Sequence, residues 1–290
     1  MAMLPDKLES FFYWVNERHM IYLKKEAGSQ RPWTNDNTLN TFKFTNVFRE
    51  LDRTTVWMRK HFTGPNSDRP TEEIIFNCCL FRMFGTMEFA DVHGWVFEWD
   101  PSRAKALARE RLNNKLKVFT GAYIITNQGL KEPKEQVVSD LFLTPVWNAR
   151  KELAQVAKET KSLEALHKAL GKFQGWGGGG FMAYEVATDL NHTTALSDAS
   201  DRFTWANAGP GAKRGLNRLW GRPLHYNSKK QDWNTEMLVL LKKAPNWLAD
   251  HVPKGDFDMR SIEHSLCEWD KYTRVQLGQG KPRSLYKPTV

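Results

Sequence analysis

The stretch SIEHSLCEWDKYTR (Ser261–Arg274) is dense with side chains that do chemistry. Wound as a helix, it puts Ile262, Leu266 and Trp269 on one stripe, Glu263, Cys267, Asp270 and Arg274 on a second, and His264, Glu268 and Lys271 on a third. The charges flank the apolar residues too closely for a simple two-faced helix. Some of them are therefore expected to be partly buried, where a carboxylate or an imidazole becomes a candidate for proton transfer. The competing reading is a solvated helix laced with ion pairs such as Asp270–Arg274, each of small energetic weight. Cys267 reads as a small core residue rather than a nucleophile.

A second stretch, AGPGAKRGLNRL (Ala208–Leu219), sets a glycine-tight turn ahead of clustered positive charge. Backbone N–H groups of a Gly-x-Gly turn, here Gly209 and Gly211, can point at a phosphate, and a helix N-terminus behind them adds to the attraction. Lys213 and Arg214 then supply charge. The pattern resembles the hairpin of helix-hairpin-helix DNA glycosylases, in which an Asp lies about twenty residues further on. Asp232 falls at about that distance, and it reads equally well as the N-cap of the helix that follows.

The glycine run GWGGGGF (Gly175–Phe181) has the letters of a dinucleotide fingerprint but follows an amphipathic helix rather than a strand, and Phe181 stands where a phosphate-binding P-loop needs Lys. It reads as a helix–helix turn, or as a place where backbone closely approaches a substrate.

Most of the chain has helical periodicity. Residues 8–24 place Phe11, Phe12, Val15, His19 and Tyr22 near one stripe. Residues 38–62 are expected to form a helix with Phe44, Val47, Phe48, Leu51, Thr55 and Met58 on one face. IIFNCCLFRMFG, with Pro70 in its first turn, is apolar nearly all round and should be buried, so Asn77 and Arg82 each need a partner there. SRAKALARERLNNKL and VWNARKELAQVAKETKSLEALHKALGKF are strong helix formers. VFTGAYIITN between them is β-branched enough for a short strand. Strands and helices do not alternate, which disfavours a doubly wound sheet.

The 290 residues, 41% hydrophobic, suffice for one large domain over 1–275, in one body or two helical lobes, with a basic tail over 276–290. The net charge of +9 suits a polyanionic partner. Three cysteines make no disulfide framework and point to a reducing cytoplasm. Without Cys-x-x-Cys or His-x-x-x-His spacing no metal centre is expected, and no cofactor is. The N-terminal segment reads as neither signal peptide nor membrane span.

FFYWVNERHMIYLKKEAG, RPWTNDNTL, KFTNVFRELDRTT, FTGAYIIT, GGFMAYEVATDL, GPGAKRGLNR and IEHSLCEWDKYTR, taken together, resemble the alpha-glutamyl/putrescinyl thymine pyrophosphorylase family, which is also the helical domain associated with phage 5-hydroxymethyldeoxyuridine DNA kinases. The motifs run from about residue 8 to 275 in the family's order. The resemblance implies an all-helical, glycosylase-like fold and work on hypermodified thymine in phage DNA, in the cytoplasm of an infected cell. Family members replace the pyrophosphate of a pyrophosphorylated 5-hydroxymethyluracil with an amine from an amino acid or polyamine. Some relatives are thought to excise a modified base, and a DNA-binding accessory is the non-enzymatic alternative. Kinase members carry a P-loop domain that this sequence lacks, so phosphorylation is not the expected step.

By motif, the resemblance makes Arg18, Asn46, Arg49 and Arg82 holders of the anionic group and Tyr184 a partner of an extruded base. Asp198 or Asp201 becomes the base, and Glu263, His264, Glu268 and Lys271 complete the site. Gly209, Gly211, Lys213 and Arg214 are the expected DNA contacts. Glu185, after Tyr184, departs from the family's pattern and leaves the identity of the amine open.

Overall fold

The computed structural model describes residues 3–121, 125–228, 230–282 and 284–286. The chain forms two compact units, one of Met1–Asp52 with Phe203–Val290 and one of Arg53–Arg202. The first unit begins with α1 (Pro5–Glu26) and α2 (Asn37–Thr41). The second holds α3 (Arg53–Met58), α4 (Thr71–Phe84), α5 (Met87–His93), α6 (Pro101–Asn113), α7 (Lys134–Gln136), α8 (Thr144–Asn148), α9 (Arg150–Thr160), α10 (Leu163–Leu170) and α11 (Phe181–Leu190). The first unit resumes with α12 (Pro210–Leu219), α13 (Trp233–Lys243) and α14 (Met259–Gln276). The protein is mostly helical, and among the described residues strand pairing is limited to one isolated bridge, Phe42 with Leu285. The part of VFTGAYIITN that is described is irregular; Ala122, Tyr123 and Ile124 lie outside the described residues.

In the first unit the apolar stripes read from sequence meet. Phe11, Phe12, Trp14 and Val15 of α1 are buried, as are Ile262, Leu266 and Trp269 of α14. Phe11 meets Trp269 edge-on at 5.7 Å, and the Trp269 indole N–H donates to Ser10 Oγ at 3.1 Å. Helix α12 lies against α14 with almost no side chain between them. A Cβ at Gly215 would sit 2.7 Å from the Leu266 carbonyl oxygen, and one at Gly211 would sit 2.2 Å from Cys267 Sγ. Gly215→Ala thus tests which effect is larger. Helix propensity favours Ala by about 1 kcal/mol, but the clash is with backbone, and overpacking of this kind costs roughly 1–3 kcal/mol. A net loss of stability is expected in urea unfolding; a gain would mean that α12 and α14 are not in backbone contact.

His19 is buried, stacked parallel to His251 at 6.2 Å and edge-on to Phe48 at 5.2 Å. Burial, then the neighbouring His251 and Arg18, push its pKa down to about 4. The unfolded chain takes up a proton near pH 6.5 that the folded chain refuses until about 4. Stability should fall as pH drops through that window, and His19→Phe should flatten the fall in urea midpoints measured between pH 7 and 4.5.

The single helix expected over 38–62 is instead broken. Helix α2 ends at Thr41, 42–48 is irregular, a 3-10 turn covers Arg49–Leu51, and α3 runs on into a π turn over Arg59–Thr63. Phe44, Val47, Phe48, Thr55 and Met58 are still buried. Helical periodicity lost here to side-chain hydrogen bonding. The Asn46 amide donates to Asp52 Oδ1 at 3.0 Å, the Asn46 side chain donates to the Leu51 carbonyl at 2.9 Å, and the Thr45 amide donates to Glu268 Oε2 at 3.0 Å.

In the second unit α4 is buried from Ile74 to Phe84. Its two polar residues have the partners that burial demands. Asn77 accepts from the Val96 amide at 2.8 Å and donates to the Val96 carbonyl at 2.9 Å. Arg82 forms a fork with Asp189, Nη2 to Oδ1 at 2.6 Å, with Glu185 at 3.5 Å from Nη1. Pro70 stands one residue ahead of the first turn, as N-cap. The glycine run is a tight crossing: Gly175, at φ +88°, would drive a Cβ into the Phe142 ring, and buried Trp176 donates to the Phe142 carbonyl at 2.9 Å.

Candidate functional site

Helix α14 starts at an Asp258 cap, whose Oδ1 accepts from the Ser261 amide at 2.9 Å. From there the 3.6-residue period aims its polar stripes at two different partners within the first unit. One stripe holds the glycine turn and α12. The Gly209 amide donates to Glu263 Oε1 at 3.1 Å. Fully buried Asp270 accepts from Arg214 Nε and Arg218 Nε, both at 2.8 Å, and Arg274 Nε lies 3.6 Å away. The turn does hold an anion, and that anion is the protein's own Glu263. Nor is the turn entered from a helix, as a helix-hairpin-helix would be: Asn191–Asp201 is turn-rich and 205–209 is without regular structure.

Of the four expected DNA contacts, then, Gly209 and Arg214 have intramolecular partners, and Gly211 serves the close packing of α12. Lys213 lies on a cleft of about 420 Å³ with Lys230, Asn207, Trp233 and Asn234. Its ammonium stands 5.7 Å from the Trp233 ring centroid. Asn234 fixes one wall, accepting from the Ala206 amide at 3.0 Å and donating to the Thr204 carbonyl at 2.7 Å. Asp232, on the same cleft, is the N-cap of α13, its oxygens accepting from the Thr235 amide at 3.0 Å and hydroxyl at 2.6 Å. Those bonds hold its pKa below the usual carboxylate range.

The other stripe, His264, Glu268 and Lys271, faces the 43–49 segment, irregular up to the 3-10 turn that begins at Arg49. Glu268 accepts from the Thr45 amide and, at 2.6 Å, from Lys271, which also donates to the Lys43 carbonyl at 3.1 Å. His264 Nε2 meets the Thr45 hydroxyl. Burial first, then the charges of Arg49, Arg260, Lys271 and Arg18, drive the His264 pKa well below its ordinary value, so the ring is neutral at pH 7. Arg18, from α1, donates to Asn46 Oδ1 at 2.6 Å and, at 3.4 Å, to the Phe44 carbonyl, both neutral partners. Its second terminal nitrogen, Nη1, is buried without a hydrogen-bond partner. Arg49 pairs with Asp52 at 3.2 Å.

Arg18, Asn46, Arg49, His264, Glu268 and Lys271 are thus gathered in one unit. Arg82 and Tyr184 are buried in the other, Arg82 in its carboxylate fork and Tyr184 beside His167, ring centroids 6.4 Å apart. Asp201 caps α10, accepting from Ser162 Oγ at 2.6 Å and from the amides of Leu163 and Glu164 at 2.8 and 3.0 Å. Asp198 forms an exposed ion pair with Lys161 at 2.7 Å. Thr45, Arg260 and Trp233 join the two sites without having been singled out from sequence. Arg260 stands one turn ahead of His264, and Thr45 directly precedes Asn46, so helical spacing and adjacency are the signals that point to them.

Among the described residues no helix is long and apolar enough to cross a membrane. No solved structure matches the chain. The 5-hmdU DNA kinase of Bacillus phage SP10 is 27% identical over 288 residues, covering 90% of this chain and 44% of the relative. The chain therefore spans less than half the length of that curated relative. The family profile for the helical domain of 5-hmdU DNA kinase matches residues 6–281, nearly the whole sequence. By that match the chain belongs to the family of 5-hmdU DNA kinase helical domains.

Proposed function

We propose that the protein is a DNA-modifying transferase of the phage 5-hydroxymethyldeoxyuridine system. It joins an amine to the exocyclic methylene of a pyrophosphorylated 5-hydroxymethyldeoxyuridine. The amine nitrogen forms the new bond to carbon, the carbon–oxygen bond breaks, and pyrophosphate leaves with the electron pair. One observation carries the reading: the Arg18 guanidinium hydrogen-bonds only to neutral groups, with Nη1 buried and without a hydrogen-bond partner, in the same cluster as neutral His264. Asp52 and Glu268 act on Arg18 through space but spend their own bonds on other groups, so its buried Nη1 keeps a donor for an oxyanion of the leaving group. The neutral imidazole is the group placed to take the proton that the incoming ammonium must lose, against the burial and four nearby cations that oppose its charging. The Lys213–Trp233 cleft supplies charge and an aromatic face for the strand.

Two other readings remain distinct in their products. Base excision draws on Asp232, which lies on the cleft but spends both oxygens capping α13. A module that recognises the modified base for a separate kinase fits the name and length of the phage relative. Incubation with pyrophosphorylated DNA and labelled glycine, followed by digestion to nucleosides, separates them. A labelled aminomethyl nucleoside supports transfer, abasic sites support excision, and unchanged DNA that is tightly bound supports the recognition module.

The pH profile carries a further expectation. An ordinary histidine base gives kcat an acid limb near pH 6.5. With its pKa held down, His264 should give none there, because the ring stays unprotonated. A limb at 6.5 in kcat measured from pH 8 to 5.5 would remove His264 from the proton transfer. Lys213→Glu should weaken oligonucleotide binding and reduce its salt dependence by about one contact's worth.

A further inference from the structure

The second unit contains a cleft of about 600 Å³ between the Val56–Ser67 segment and the turns after α11. Arg59, Lys60 and His192 line it together with Thr and Ser hydroxyls, and no lining residue is a carboxylate. In a chain with 33 acidic side chains, a wall of cations and hydroxyls free of acids selects for an oxyanion. The heads of Arg59 and Lys60 belong to exposed residues, so they are held at the rim rather than in the core. Asn191 also lines the cleft, and its Oδ1 is buried without a hydrogen-bond partner. It offers an acceptor to an N–H group, such as the edge of a nucleobase.

The local backbone is built to present those cations. Arg59–Thr63 is a π turn, a form concentrated at functional sites. The turn closes where the Gly64 amide donates to the Arg59 carbonyl, and a Cβ on Gly64 would sit 2.4 Å from that oxygen. Glycine at this position lets the turn close on the Arg59 carbonyl without a shift of the backbone that carries Arg59 and Lys60.

We infer that this cleft is a phosphate-binding site for a nucleotide of the DNA strand, with the phosphate on Arg59 and Lys60 and a base edge at Asn191. The inference leans on the DNA-acting reading only for the source of the phosphate. Binding is measured without turnover, so a failed transfer assay leaves it standing.

The test is fluorescence anisotropy of a labelled single-stranded oligodeoxynucleotide with the full chain, across a salt series. Arg59→Glu/Lys60→Glu is compared with Lys151→Glu/Lys158→Glu, an exposed pair on α9 that changes net charge equally. A parallel calorimetric titration uses inorganic pyrophosphate, and thermal melts check that both variants fold. Loss of two phosphate contacts should weaken binding at least tenfold and lower the salt slope by about 1.4, with a much smaller change in the control pair. If only pyrophosphate binding is lost, the cleft is a phosphate site for a free anion rather than the strand. If Arg59→Glu/Lys60→Glu matches its control in both titrations, the inference is overturned.

Discussion

Asp270→Ala should destabilise the first unit by about 3–5 kcal/mol, the usual cost of removing one partner from a buried ion pair. Asp270 is fully buried and accepts from two guanidinium groups of α12, so its loss strands positive charge that, among the described residues, has no other carboxylate within bonding distance. Arg218 is held almost out of solvent, with 9% of its side chain exposed, whereas Arg214 at 27% can turn toward water. The penalty should therefore fall mainly on Arg218. Two further variants separate the charge effect from lost packing. Arg218→Met in the Asp270→Ala background should recover much of the loss, since a hydrophobic replacement of the whole buried pair is often neutral. Arg214→Met should recover less. A loss below 1 kcal/mol in urea unfolding of Asp270→Ala would mean that water reaches the guanidiniums.

His264→Gln should lower kcat for amine transfer by roughly 10²–10⁴, the span attributed to a positioned acid or base. Gln preserves a polar group near Thr45 but cannot take a proton at neutral pH. Arg18→Gln should act on another quantity. It removes the cation proposed to hold the leaving group, so it should depress the rate with pyrophosphorylated DNA more than it weakens binding of unmodified DNA. If His264→Gln turns over normally while melting like the parent, the imidazole is structural, held by Thr45 as one link in packing α14 against the 43–49 segment. The two variants together therefore tell proton transfer apart from architecture.

The stripes of α14 were legible in the sequence because helical period and residue type agree there. Ile262, Leu266 and Trp269 are core, Glu268 and Asp270 are buried with partners, and Glu263 is half-buried. The same holds for Asn77 and Arg82, whose polarity inside an apolar helix announced a partner without naming it. What sequence could not give was the choice of partner. Glu263 reads as a reactive carboxylate, but it satisfies the Gly209 amide. Asp201 reads as a base, but it caps a helix nearly forty residues earlier in the chain, a relation no local pattern encodes. The glycines of the turn illustrate the same limit. Gly-x-Gly predicts a close approach of backbone, and it occurs, but toward Glu263 and Cys267 rather than toward a ligand. Residues 38–62 failed as a helix because Asn46, Asp52 and Glu268 offer the backbone better-placed acceptors and donors than the next turn does.

The first unit is assembled from two stretches separated by the 150 residues of Arg53–Arg202. On the ribosome, α1 emerges with Phe11, Phe12 and Trp14 ready for burial, while Trp269, which Phe11 packs against, is still unmade. At about 5–20 residues per second the intervening stretch alone takes roughly 8–30 seconds to translate. By the end of that interval the contiguous unit has all of its own sequence, whereas the aromatic face of α1 still waits uncovered. Nascent chains stalled before α14 should engage holding chaperones through α1, and should release them once synthesis passes Gln276.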